Sequence, residues 1–225
     1  MIDVNHQINT VHRTVGKRVF KAGEARIVTI GQSYDAPLDD VWDACTNPER
    51  LPRWFAPVTG DLKPGGRYAV QGNASGTIER CDPPKGFFAT WEYGGEVSWI
   101  ELRLTPEGDE RTRFELEHIA HVDEERWAQF GPGAVGVGWD LAVMGLALHL
   151  GGAPAVDPAA VETWGASDEG RSFVTAASEG WYEANIASGE SVEAARGAAD
   201  RTAAFYRGEG PGHEPESAGQ PDTDA

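Results

Sequence analysis

Residues 117–121 read EHIAH, which sets His118 and His121 beside the carboxylate of Glu117, with Asp123 two residues further on. Histidine changes charge near neutral pH and, when neutral, binds transition metals, so the segment invites a metal or an acid–base reading. Along a strand, side chains alternate between faces, which sends His118 inward and leaves His121 at the strand end. The two rings therefore need not converge, and a hydrogen-bonded structural histidine is the plainer reading. Tyr93, His118 and Asp140 form a proton-transfer group for a cyclase or hydrolase only if the fold brings them together. Cys45 and Cys81 are expected to be buried, inert thiols, because cysteine is among the most buried residue types. The chain has no G-x-S-x-G elbow, P-loop, H-E-x-x-H or paired C-x-x-C. From sequence, then, neither a metal nor a cofactor is expected.

Gly131, Gly133 and Gly136 match the G-x-G-x-x-G fingerprint of dinucleotide sites. That motif works at a strand-to-helix turn, where backbone amides and a helix N-terminus reach the pyrophosphate. The preceding VDEERWAQF reads as helix, no βαβ alternation follows, and Asp157, at the distance of a ribose-binding acid, opens a further helix as its cap. On a helical wheel, residues 134–150 are apolar nearly all round: Val135, Trp139, Val143, Leu146 and Leu150 form a bulky stripe, and Ala134, Gly138, Ala142, Gly145 and His149 a narrow one. Such a helix is buried on several sides. Gly136, Gly138 and Gly145 each cost about 1 kcal/mol relative to Ala, which close packing or room for a guest must offset.

The elements around that helix follow from local pattern. ARIVTIGQSY alternates as a strand and is expected to be the first. APLDDVWDACTNPERLPRWF gives two short helices, and the turn-rich residues after them form a loop displaying Trp54 and Phe55. Five short extended runs between residues 67 and 120 are joined by GN, PPKG, GGE and PEGDE, an antiparallel meander. In its last two strands Ile100, Leu102, Leu104, Phe114, Leu116 and His118 share the inner face. After a short helix in DEERWAQF and the apolar one, Asp157, Ser167 and Ser191 each stand before a helical run, so the C-terminal third is helical.

The composition of the 225 residues suits one globular domain with an added segment. A net charge of −17 disfavours nucleic acid and anionic membrane surfaces as partners. Residues 1–23, with Arg13, Lys17, Arg18 and Lys21 and no apolar run, read as a mobile arm without a secretion signal, and a cytoplasmic location is expected. Residues 208–225 read as a disordered acidic tail.

The order strand, two short helices, meander, long helix resembles the START-like (SRPBCC, helix-grip) superfamily. The likeness to bacterial proteins similar to the C-terminal domain of the activator of the heat-shock protein 90 ATPase is carried by YDAPLDDVWDACTNPERLPRWF, GDLKPGGRY, GTIERCDPPKGFFATWEY and LRLTPEGDERTRFELEH. The resemblance implies an α+β helix-grip domain over residues 24–150, an apolar cavity between curved sheet and long helix, and a helical extension at 151–207. The cavity candidates are Trp91, Tyr93, Ile100, Leu102, Phe114, Leu116, His118, Trp139, Val143 and Leu146, with Trp54 and Phe55 as a possible loop lid. The leading expectation is binding of a small hydrophobic or aromatic molecule, without membrane insertion. Its alternatives are a cyclase-, aromatase- or hydrolase-like enzyme using the same cavity and a module that modulates a chaperone ATPase.

Overall fold

The computed structural model describes residues 3–122, 124–155 and 157–209. It is an α+β structure: one antiparallel eight-stranded sheet in the order β1-β2-β8-β7-β6-β5-β4-β3, with a long helix held against one face. The strands are β1 (His12–Phe20), β2 (Gly23–Tyr34), β3 (Val58–Gly60), β4 (Arg67–Val70), β5 (Ser75–Asp82), β6 (Gly86–Tyr93), β7 (Glu96–Pro106) and β8 (Thr112–Ala120). The helices are α1 (Val4–Thr10), α2 (Leu38–Thr46), α3 (Glu124–Phe130), α4 (Gly133–Leu150), α5 (Pro158–Ala166), α6 (Asp168–Ala187) and α7 (Val192–Tyr206), with a 3-10 turn at Leu51–Arg53.

The five expected meander strands are β4 to β8, but ARIVTIGQSY is the second strand, not the first. The stretch read as a mobile arm is a short helix and an edge strand whose register with β2 runs from His12↔Gly31 to Phe20↔Gly23. Its basic residues suggested a solvated arm, yet each has an acidic partner, the buried one being Arg13 on Asp140. The hairpin tip folds over the outer face, where Phe20 packs on Phe88 and Trp99 and Lys21 Nζ lies 4.5 Å from the Trp99 ring centroid. The rest of that face is wet, with Arg103 reaching Glu101, Glu115 and Glu117.

Directly opposed residues share a sheet face, and two cross-strand rows fix the inner one. Val28, His118, Ile100 and Ala89 form the first, and Ile30, Leu116, Leu102 and Phe87 the second. Against these rows lies α4, whose Val137, Val143 and Leu146 are fully buried. Among the described residues α4 alone is long and apolar enough to cross a membrane, but half of it is buried inside the protein, as a core helix is.

The three caps read from sequence all form. The Asp157 side chain accepts from the Ala159 amide, Ser167 from Gly170 and Ser191 from Ala194. Gly131, in the left-handed region at φ 56°, ends α3 with its amide on the Trp127 carbonyl. The glycine run is thus a helix-to-helix turn, and the geometry a pyrophosphate needs is missing. Of the acidic tail, residues 210–225 lie outside the described residues; Glu209 is paired with Arg171 and Arg207.

Candidate functional site

The α4 glycines are places of close approach. A Cβ on Gly136 would stand 2.3 Å from Trp181 Cε2, one on Gly133 2.9 Å from Thr202 Cγ2, and one on Gly138 3.2 Å from the Tyr206 hydroxyl. These three let α6 and α7 onto the helix. At the other end a Cβ on Gly145 would stand 2.4 Å from the Trp54 carbonyl oxygen, so the loop after α2 rests its backbone on α4. Close packing therefore offsets the propensity cost of these glycines.

Between two of these contacts, Asp140 is wholly buried. Arg13 Nε lies 3.2 Å from both its carboxylate oxygens, the Arg13 NH2 group bonds Oδ1, and Trp181 Nε1 donates to Oδ2 at 2.7 Å. Burial pushes the Asp140 carboxyl upward against the pull of Arg13. A buried carboxylate that accepts from Arg13 on both oxygens and from Trp181 on one is a structural tie between β1, α4 and α6.

On the sheet side of α4, Trp139 Nε1 donates to His118 Nδ1 at 3.1 Å, and His118 Nε2 lies 2.8 Å from Ser98 Oγ, which donates to the Trp91 carbonyl at 3.0 Å. An indole N–H can only donate, so Nδ1 is the acceptor and the proton sits on Nε2. Burial holds the His118 pKa down at about 4. The ring is neutral at pH 7, and its one basic lone pair is occupied by Trp139. Tyr93, which alternation placed inward with Trp91, is 62% exposed: it ends β6, paired with Glu96 across the two-residue Gly94–Gly95 turn. Tyr93, His118 and Asp140 do not assemble as a proton-transfer group.

The remaining cavity candidates divide between two apolar clusters. Leu102, Phe114, Leu116, Val143 and Leu146, each at most 5% exposed, belong to the main core with Ile30, Phe173 and Trp181. Ile100 sits in a second cluster with Tyr68, Val70 and Ala89, over the β4–β7 part of the sheet. Against that second cluster pack half-buried side chains: Phe55, Val58, Ile78, Phe87, Trp91 and Trp139. The Trp91 and Trp139 rings are 5.3 Å apart at 56°. Trp54 and Phe55, expected as a displayed pair, are half-buried too, with Trp54 Nε1 donating to the Ala44 carbonyl at 3.0 Å.

His121 bonds the Glu24 carbonyl and packs by Phe20 and Trp99 on the outer face, apart from His118; Asp123 lies outside the described residues. Among the described residues no group of three His, Cys, Asp or Glu is placed to hold a metal ion. Cys45 and Cys81 are free and half-buried, and burial raises both thiols, Cys45 to about 12. Sequence reasoning missed Ser98 and Arg13, the partners that fix His118 and Asp140.

An antiparallel sheet holding a long helix against one face, with the Trp91 and Trp139 indoles between them, defines the helix-grip class of START-like proteins. Residues 35–151, just over half of the chain, match the Activator of Hsp90 ATPase homolog 1-like protein family, and the chain belongs to that family. It is similar to CalU16 from Micromonospora echinospora: the crystal structure shares 39% identity over 77% of this chain and 97% of that one, TM-score 0.59. The solution structure of CalU16 gives 39%, 79%, 96% and 0.65. Since 77% of 225 residues, about 173, exceeds the family match, the likeness to CalU16 extends into the elements flanking that match. A protein of unknown function from Enterococcus faecalis, EF2215, shares the fold at 15% identity over 71% of this chain and 92% of that one, TM-score 0.51. No curated protein matches the chain.

Proposed function

We propose that the protein binds a small hydrophobic or aromatic molecule on the second apolar cluster, against the Trp91–Trp139 wall. The observation that carries this reading is the pair of half-buried indoles 5.3 Å apart, the Trp139 ring fixed by its hydrogen bond to His118, bordered by half-buried Phe55, Val58, Ile78 and Phe87. Apolar surface left partly wet gains about 2.5 kcal/mol for each 100 Å² a ligand covers, and indole faces add stacking. Specificity comes from the rim, where the Trp91 and Trp139 ring faces set the plane of an aromatic guest. The cyclase- or hydrolase-like alternative would need a base other than His118, whose acceptor nitrogen is taken. The chaperone-modulating alternative rests on family membership, and the patch it would use, Trp54 and Phe55, is half-buried.

The test follows the eight indole N–H signals by NMR while a neutral aromatic probe, 2-naphthol at pH 7, is titrated in. Saturable shifts at Trp91 and Trp139, with Trp164 unmoved and affinity weakened at least tenfold by Trp91→Ala, are the expected result. Shifts scattered over all indoles without saturation would reject the site.

A further inference from the structure

Arg50 stands immediately before the 3-10 turn at Leu51–Arg53, and its guanidinium joins two helices. Nη1 bonds Asp40 Oδ1 at 2.7 Å and Asp43 Oδ2 at 3.0 Å, both on α2. Nε and Nη2 lie 3.2 and 3.0 Å from a single atom, Nε2 of His149 in the last turn of α4. A guanidinium nitrogen only donates, so Nε2 is the acceptor and His149 carries its proton on Nδ1. That bond exists only while the ring is neutral. A protonated ring would aim an N–H at two others and set a second positive charge against the first. Arg53, on the same turn, adds another cation, while Asp40 and Asp43 are the acids facing the pair from α2. On α4 itself Asp140 is held by Arg13 and Trp181 farther up the helix. Burial keeps the His149 pKa below its ordinary value, with Arg50 and Arg53 acting in the same direction and Asp40 against it.

The chain that follows Arg50 borders the proposed binding surface. It runs through the turn to Trp54, whose carbonyl rests on Gly145 and whose Nε1 donates to the Ala44 carbonyl, and on to Phe55 and Val58, which pack against the second cluster. We infer that the Arg50–His149 bond is a pH-sensitive latch: neutral His149 holds the Trp54–Phe55 loop on α4, and its protonation frees the loop and weakens guest binding at the indole wall. The inference rests on the reading of that wall as a binding surface. Asp40 and Asp43 keep Arg50 on α2 in either state, so it is α4 that is let go. His118, with its pKa at about 4, stays largely neutral down to pH 5, and the two histidines act separately.

The experiment is an NMR titration of the full chain between pH 7.5 and 5, free and with 2-naphthol, which is neutral over that range. In the free protein the Trp54 indole N–H should shift in step with the His149 Cε1–H signal. In His149→Gln, whose amide oxygen accepts from Arg50 at every pH, it should stay in place. The affinity of the wild type for 2-naphthol should fall about fivefold or more on acidification, and that of His149→Gln should not. Reciprocally, saturating 2-naphthol should lower the midpoint of the His149 titration. A Trp54 signal that ignores His149, one that moves equally in His149→Gln, or an affinity equal at both ends of the range would overturn the latch. No binding at pH 7.5 while Trp54 still follows His149 would reject the indole wall and leave the latch on the loop standing. Should His149→Gln not fold, Arg50→Gln removes the bond from the other side, and its Trp54 signal should sit at the acid position already at pH 7.5.

Discussion

Replacing Gly136 by Ala sets two quantities of known sign against each other. Alanine inside a helix is favoured over glycine by about 0.5–1 kcal/mol. The new Cβ, however, would sit 2.3–2.7 Å from three atoms of the Trp181 indole, a distance that real contacts do not show. Trp181 is 1% exposed and cannot swing aside, and its Nε1 is bonded to Asp140. Overpacking a filled core costs about 1–3 kcal/mol, and weakening a hydrogen bond to a charged group adds about 1.5–3. Subtracting the propensity gain leaves a net loss of about 1.5–5.5 kcal/mol. Urea denaturation of Gly136→Ala should show that loss as a lower midpoint at unchanged slope. The control is Gly165→Ala in α5, where a Cβ meets nothing within 4 Å and the same propensity gain stands unopposed. A Gly136→Ala protein as stable as the wild type would refute the argument that this glycine exists to seat Trp181.

Three further outcomes follow from the same contacts. Asp140→Ala strands the Arg13 guanidinium in the core and should cost about 3–5 kcal/mol in a urea titration, part of which Arg13→Met on the same background restores. His118, with its folded pKa lowered from 6.5 to about 4, takes up a proton in the unfolded chain before the folded one does. Its contribution is therefore present above pH 6.5 and drains away, by up to about 3 kcal/mol, as pH falls to 4; His118→Gln should flatten that part of the stability–pH curve. Gly145→Ala should lift the Trp54 carbonyl from α4 and expose Trp54 and Phe55, read as a red shift in tryptophan emission and a loss of about 1–3 kcal/mol.

Elements whose stability is local were readable as strings of residues. Asp157, Ser167 and Ser191 each cap a helix within three residues of themselves, and the period-two rows of β7 and β8 placed His118 on the inner face without any knowledge of its partners. What escaped reading depends on residues far apart in the chain. Arg13 looks like one basic residue among several until Asp140, 127 positions later, arrives beside it. β3 is three residues long and exists because β4 pairs with it. Alternation also says nothing about where a sheet stops being covered, which is why Tyr93 was assigned an interior position that it does not occupy.

Backbone and indole pressing directly on Gly136 and Gly145 give α4 one axial setting. Slide it by a single residue and Val135 or Val137 meets the Trp181 ring while Met144 or Leu146 meets the Trp54 carbonyl, so neighbouring registers are sterically closed. The long rod is a fixed spindle, and any breathing that admits a guest to the indole wall must be borne by the parts wrapped around it.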